Sequence, residues 1–146
     1  KALKHWTLAE QTETGIALLV EDRHALVIRV LEHALIRVSL LKDGVHRLDR
    51  TWAIAPKDDV PWEGRSREDL SGFTCPEFLL TQDDTQLQLM TDCLRLTVET
   101  PLALVWESRE TPSAEWQEIA RDRPQDAYMI GRRDHRKSHF MRRFDG

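Results

Sequence analysis

Apolar residues recur at every second position along much of the chain, the signature of strands with one buried face. Leu26, Ile28 and Val30 alternate with Val27, Arg29 and Leu31, and Leu35-Ile-Arg-Val-Ser-Leu-Leu41 repeats the pattern after the break at Glu32-His33-Ala34. The pair reads as a β-hairpin. Isolated arginines inside these runs suit a sheet with one wet face better than a buried helix.

A second segment, Gln86–Thr100, changes phase part-way. Leu87 and Leu89 are apolar at odd positions, whereas Leu94, Leu96 and Val98 are apolar at even ones. A slip of one residue turns every side chain over, so a bulge or turn is expected between Met90 and Cys93. Pro101 ends the run, and Leu102–Trp106 reads as the next strand. Trp116–Ile119, Ala127–Ile130 and Ser138–Arg142 are shorter strand candidates, and Thr7–Gln11 with Gly15–Val20 opens the domain as another pair. No capped helix of useful length appears, and Ser66–Leu70 makes a single turn at most. The pattern predicts an all-β fold, an antiparallel sandwich first and a barrel second.

The longest stretch without strand periodicity is Ala55–Pro76, 22 residues with three prolines and two glycines. Loops of this length in compact domains are functional or form ordered excursions. This one contains Trp62 and Phe73, so it is expected to pack on something. Two candidates stay open: the open end of its own core, or a partner domain or ligand.

Composition narrows the function classes. At 146 residues the chain forms a single domain, and its 40% hydrophobic content is within the globular range. No run of about 18 uncharged apolar residues exists, so no membrane span is expected. The net charge of −4 is uneven: residues 121–146 carry +4 and residues 1–120 carry −8. The basic tail, Arg132–Phe144, is interleaved with aromatics, but the acidic body would repel a polyanion, so no nucleic-acid partner is expected. Cys75 and Cys93 match no metal or redox spacing, and a reducing, cytoplasmic setting is expected.

Candidate chemistry is sparse. His135 and His139 lack a carboxylate or cysteine to complete a metal set, there is no nucleophile elbow, and Gly64 and Gly72 form no phosphate loop. Asp58-Asp59, Glu68-Asp69 and Asp83-Asp84 are sequence neighbours, which does not set two carboxyl groups across a ligand. No catalytic residue, metal or cofactor is assigned. Five of the ten aromatic residues are tryptophan. Trp52 and Trp106 lie in strand runs and are expected in the core, while Trp62 is the best candidate for a sugar-stacking or interface role.

The long loop brings a resemblance. Trp52-Ala-Ile-Ala-Pro56 and Pro61-Trp-Glu-Gly-Arg-Ser-Arg-Glu-Asp-Leu-Ser-Gly-Phe73 resemble the N-terminal domain of bacterial α-glucosidases of glycoside hydrolase family 31. Leu94–Leu102 with Trp106, Trp116 through Asp122-Arg123 to Tyr128, and His139–Arg143 look similar too. The resemblance implies a β-sandwich of the galactose-mutarotase-like type that precedes a (β/α)8 catalytic barrel. The family's two catalytic aspartates lie on that barrel, and nothing here matches their motifs. The family's Gly-Leu-Gly-Glu stretch is expected just beyond Gly146. The implied role is support of the barrel and shaping of its active-site entrance, with an α-glucoside as the substrate of the full-length retaining enzyme and the barrel as partner. Trp62, Glu63, Arg65, Arg67, Asp69 and Phe73 are the residues assigned to carbohydrate or interdomain contact. A stand-alone carbohydrate-binding or protein-interaction sandwich is the rival reading. A mutarotase-like enzyme is a third, for which His24, His33 and His46 supply no motif. The missing initiator methionine and the abrupt end are expected to be the edges of a fragment. The tail is expected to be the last strand, with Phe140 buried and Arg132, Arg133, Arg142 and Arg143 pairing with acids of the body.

Overall fold

A computed structural model describes residues 1–45 and 64–130, together with the backbone of 137–139 and 141–142. Among the described residues there are twelve strands and no α-helix. Four strands form one antiparallel sheet in the order β1 (Trp6–Thr12), β2 (Gly15–Val20), β3 (His24–Glu32) and β4 (Leu35–Leu41). A short 3-10 turn, Lys42–Gly44, follows β4. The second sheet uses β5 (Leu79–Gln82), β6 (Gln86–Met90), β7 (Leu94–Glu99), β8 (Ala103–Ser108), β9 (Gln117–Asp122) and β12 (Met141–Arg142), in the order β12-β9-β8-β7-β6-β5. A two-stranded sheet pairs β10 (Tyr128–Ile130) with β11 (Lys137–His139). The result is the antiparallel sandwich expected from the period of two.

The alternation assigns the faces. On the first sheet Ile16, Leu18, Val20, Leu26, Ile28 and Val30 are fully buried, while Ala17, Leu19, Ala25, Val27 and Arg29 point outward. On the second sheet Leu87, Leu89, Leu96, Val98 and Leu104 form the facing layer. The two layers, with Leu3, Leu102, Ala127, Tyr128 and Ile130, make one continuous core, and Trp106 packs against it. Leu31 breaks the alternation, buried beside Val30, because the β3–β4 register shifts between Val30 and Glu32. A bulge of this kind turns two consecutive side chains inward.

The phase change after Met90 is a turn. Thr91 N–H donates to Leu94 O (2.8 Å), and Thr91 Oγ1 accepts from Leu94 N–H (3.0 Å). The change at Pro101 is also a turn, with a cis Thr100–Pro101 bond. The second sheet also begins earlier than the pattern indicates, because β5 was not visible in the sequence. It is four residues long and lies at a sheet edge, where Leu79 is 65% exposed, so neither face imposes a clean alternation. The candidate strand Ser138–Arg142 is corrected to two. β11 pairs with β10 through Tyr128↔His139, whereas β12 pairs with β9 through Met141↔Asp122. The tail therefore contributes to two sheets in succession. Phe140 and the side chains of Arg132, Arg133, Arg142 and Arg143 lie outside the described residues, as does Trp52.

Two positions carry backbone constraints. Gly15 faces Ile28, and a Cβ there would sit 1.9 Å from Ile28 O, so only glycine allows β2 and β3 to approach. Glu21 and Asp22 both occupy the left-handed region, at φ 53° and 55°. Glu21 is held there because its Oε1 accepts from Lys4 N–H (2.6 Å) and His5 N–H (3.3 Å), and its own N–H donates to His5 O (2.8 Å). Those bonds keep its carboxyl below the usual carboxylate range. Asp22 is exposed, and among the described residues no comparable bond holds its side chain.

Chemical denaturation should separate these roles. Ile28→Ala is expected to cost about 2–5 kcal/mol through the cavity it leaves. Gly15→Ala should also lower the midpoint strongly, because its clash is with backbone. Asp22→Gly should raise stability by about 0.5–1 kcal/mol, since glycine carries no steric penalty at positive φ.

Candidate functional site

The described part of the long loop, from Gly64 to Phe78, is built around Arg65. Its guanidinium Nη2 donates to Asp69 O (2.7 Å) and Ser71 O (2.9 Å), and lies 3.3 Å from Asp69 Oδ1. Its Cζ stands 5.6 Å from the centroid of the Phe73 ring. Only 13% of the Arg65 side chain is exposed. One planar cation thus ties together two carbonyls, a carboxylate and an aromatic face, which a lysine's point charge cannot copy. Asp69 is held in turn, since its Oδ1 accepts from Ser71 N–H (3.0 Å) and Ser71 Oγ (2.6 Å). These bonds, with Arg65 nearby, hold its carboxyl below the usual range. Ser66–Asp69 is a hydrogen-bonded turn (Asp69 N–H to Ser66 O, 3.2 Å), the single turn expected there.

The loop is then fastened to the first sheet. Arg37 on β4 donates from Nη1 to Arg67 O (2.7 Å). Burial, followed by the neighbouring charges of Arg67 and Arg65, pushes the Arg37 guanidinium below its ordinary value. Glu32 at the end of β3 accepts from Thr74 N–H (3.0 Å) and from Thr74 Oγ1, which keeps its carboxyl low. Cys75 N–H donates to Leu31 O (3.0 Å), and burial raises the Cys75 thiol. Of the six residues assigned to contact, Arg65, Asp69 and Phe73 come together, whereas Arg67 offers its carbonyl to Arg37 on β4. Trp62 and Glu63 lie outside the described residues. The described part of the loop is thus fastened to β3 and β4 of its own domain.

Other hollows were not visible in the sequence. Gln11, Thr12, Glu13, Cys75, Glu77 and Phe78 line one of them. Glu13 and Glu77 share it, but both are exposed. A smaller groove of about 250 Å³ lies between β1 and the cis turn, lined by Trp6, Leu19, Asp22 and Thr100 among others. Trp6 spends its Nε1–H on Glu99 O (3.4 Å), joining the two sheets. Trp116 meets two cations, with Arg109 Cζ at 4.1 Å and Arg95 Cζ at 4.9 Å from its ring centroid. Two guanidiniums therefore lie against this ring. Among the described residues no group of three or more His, Cys, Asp or Glu side chains is placed to hold a metal ion, and the side chains of His135 and His139 lie outside them. Cys75 and Cys93 are free thiols. No helix among the described residues is long and apolar enough to cross a membrane.

Comparison with known proteins gives one informative likeness. The fold is similar to part of a Flavobacterium johnsoniae GH31 dextranase, whose structure was determined for a mutant in complex with isomaltotriose. The match covers 89% of this chain and 14% of the dextranase, with a TM-score of 0.55 and 10% sequence identity. No family model matches the sequence. No curated protein matches it either. The likeness shows a GH31-like fold for the sandwich.

Hydrogen exchange tests the role of Arg65. Arg65→Ala should lower protection of the Asp69–Phe73 amides by roughly 1–3 kcal/mol, the value of a few bonds to a charged group in a mostly buried position. Arg65→Lys should restore only part of it, and amides of β2 and β3 should not change.

Proposed function

We propose that this chain is a non-catalytic β-sandwich domain of a retaining α-glucosidase-type glycoside hydrolase, N-terminal to a (β/α)8 barrel that supplies the catalytic carboxylates. The observation that carries the reading is the fold match, in which 89% of this chain corresponds to only 14% of a GH31 enzyme. A sandwich that is a small share of a large hydrolase fits an accessory role. The barrel of the same polypeptide is the proposed partner, and an α-glucoside the proposed substrate of the full-length, cytoplasmic enzyme.

Within this proposal the loop from Gly64 to Phe73 is the barrel contact, together with Trp62 and Glu63. It is pre-built: Arg65 fixes its shape, and Arg37 and Glu32 fix its position. A contact surface already held in shape avoids the ordering cost of a flexible one.

The purified 146-residue chain should show no turnover of p-nitrophenyl α-glucoside. Activity that survives repurification would overturn the proposal. Titration with maltose and panose should show no micromolar binding. A micromolar constant abolished by Trp62→Ala would favour the carbohydrate-binding rival.

A further inference from the structure

His24 opens β3 and is 8% exposed. Its Nδ1 accepts a hydrogen bond from Asp43 N–H (3.0 Å) in the Lys42–Gly44 turn, through which the chain leaves β4. An imidazole nitrogen that accepts carries no proton, so this bond specifies the ring with its hydrogen on Nε2. Protonating Nδ1 would set N–H against N–H. Asp43 is in the left-handed region at φ 55°, a conformation a non-glycine residue holds only when its surroundings impose it. Those surroundings are the His24 bond and an ion pair from Arg23 Nε to Asp43 Oδ1.

We infer that His24 and Asp43 form a pH-sensitive clasp, closed when the imidazole is neutral and opened when it is protonated, which controls whether the turn after β4 stays fastened to the sheet. The charged neighbours act in both directions, and the Asp43 carboxylate is the strongest of them. Arg23, Lys42 and Lys1 line the same hollow as the ring, and the charges of Arg23 and Lys42 oppose an imidazolium. Glu21 also lines the hollow, and the Asp43 carboxylate stands 3.9 Å from Nδ1. These two favour the charged ring, but the carboxylate cannot replace the acceptor that the Asp43 amide loses. Burial is the leading influence on His24 and keeps it below its ordinary value of 6.5. Glu21 and Asp43 are both held below the usual carboxylate range, so they stay ionised while His24 titrates.

The sign follows from this depression. Above about pH 6.5 neither the closed nor the open form binds the proton, and the clasp contributes in full. As the pH falls from 6.5 towards the closed-form midpoint, the open form binds it first and the clasp weakens. The stability contribution is therefore lost on acidification.

Amide exchange and His24 ring resonances, followed from pH 7.5 to 5, test the clasp. The protection factor of the Asp43 amide, corrected for intrinsic exchange, should fall roughly tenfold for each pH unit by which the closed-form midpoint lies below 6.5. His24→Asn offers a carbonyl acceptor near the Nδ1 position and cannot take up the proton, so its Asp43 amide should stay protected at both pH extremes. His24→Gln carries its amide further from the backbone and should leave Asp43 poorly protected throughout. Asp43 protection that is flat with pH in the parent chain would overturn the inference, as would a fall in His24→Asn equal to the parent's.

Discussion

The constraint on which the rest depends is the apolar layer between the two sheets. Ile16, Leu18, Leu26 and Ile28 on one side meet Leu87, Leu89, Leu96, Val98 and Leu104 on the other. The first group comes from the opening third of the chain and the second from residues 87–104, so the chain must cross from one sheet to the other between β4 and β5. The crossing is long, and its described end is pinned where it passes β3, by Glu32 to Thr74 and by Leu31 to Cys75. At the β3–β4 turn a second tie joins the sheets. Thr91 Oγ1 donates to His33 O, and Asp92 N–H donates to His33 Nδ1 (3.3 Å). Burying the layer selects the register, and the polar ties at its margins satisfy the backbone groups that strand pairing leaves over.

The second sheet shows how polar groups are accommodated beside that layer. Asp122, almost wholly buried, accepts from Leu104 N–H (2.8 Å) at the end of the β8–β9 ladder, so a side chain continues what backbone pairing ends. Tyr128 beside it is raised above its ordinary value, first by burial and then by the Asp122 charge, which keeps the phenol neutral. On the outer face Arg95 and Glu107 lie directly opposite on β7 and β8 and form a two-pronged pair (2.9 and 2.6 Å). Bidentate geometry gives such a cross-strand pair more specificity than an ordinary surface ion pair.

Strands long enough to show several periods were legible in the sequence. The β3–β4 hairpin, the opening pair, and the phase change between β6 and β7 all follow from where Leu, Ile and Val fall. What escaped were elements whose reasons are not periodic. β5 is a short edge strand with one well-exposed leucine, and β9 runs past Ile119 to Asp122, where the hidden reason is a buried carboxylate. The candidate site was legible as a set of residues but not as an arrangement. Arg65, Asp69 and Phe73 stand out by type, yet nothing in their spacing says that one guanidinium gathers the other two. Arg37, which anchors the loop, is 30 residues from the carbonyl it binds. His24 was invisible for the same reason, because its partner is a backbone amide 19 residues away.

The placement of the tail changes what its charge means. An excess of +4 over residues 121–146, set against an acidic body, has the composition of a basic arm. A free arm, however, leaves its backbone to water, whereas this segment spends backbone hydrogen bonds on two sheets. β11 lies antiparallel to β10, and β12 adds a strand at the β9 edge. β12 covers part of a β9 edge that would otherwise present unpaired N–H and C=O groups. On the described side of that edge, Arg121 on β9 is paired with Glu118 (2.7 Å) and Glu99 (3.5 Å), and these partners raise it above its ordinary value. Arg123 donates to Asp126 O. Arg121 and Arg123 are therefore engaged within the sandwich. A segment that supplies β11 and β12 is part of the fold, with its strand pairing on two sheets.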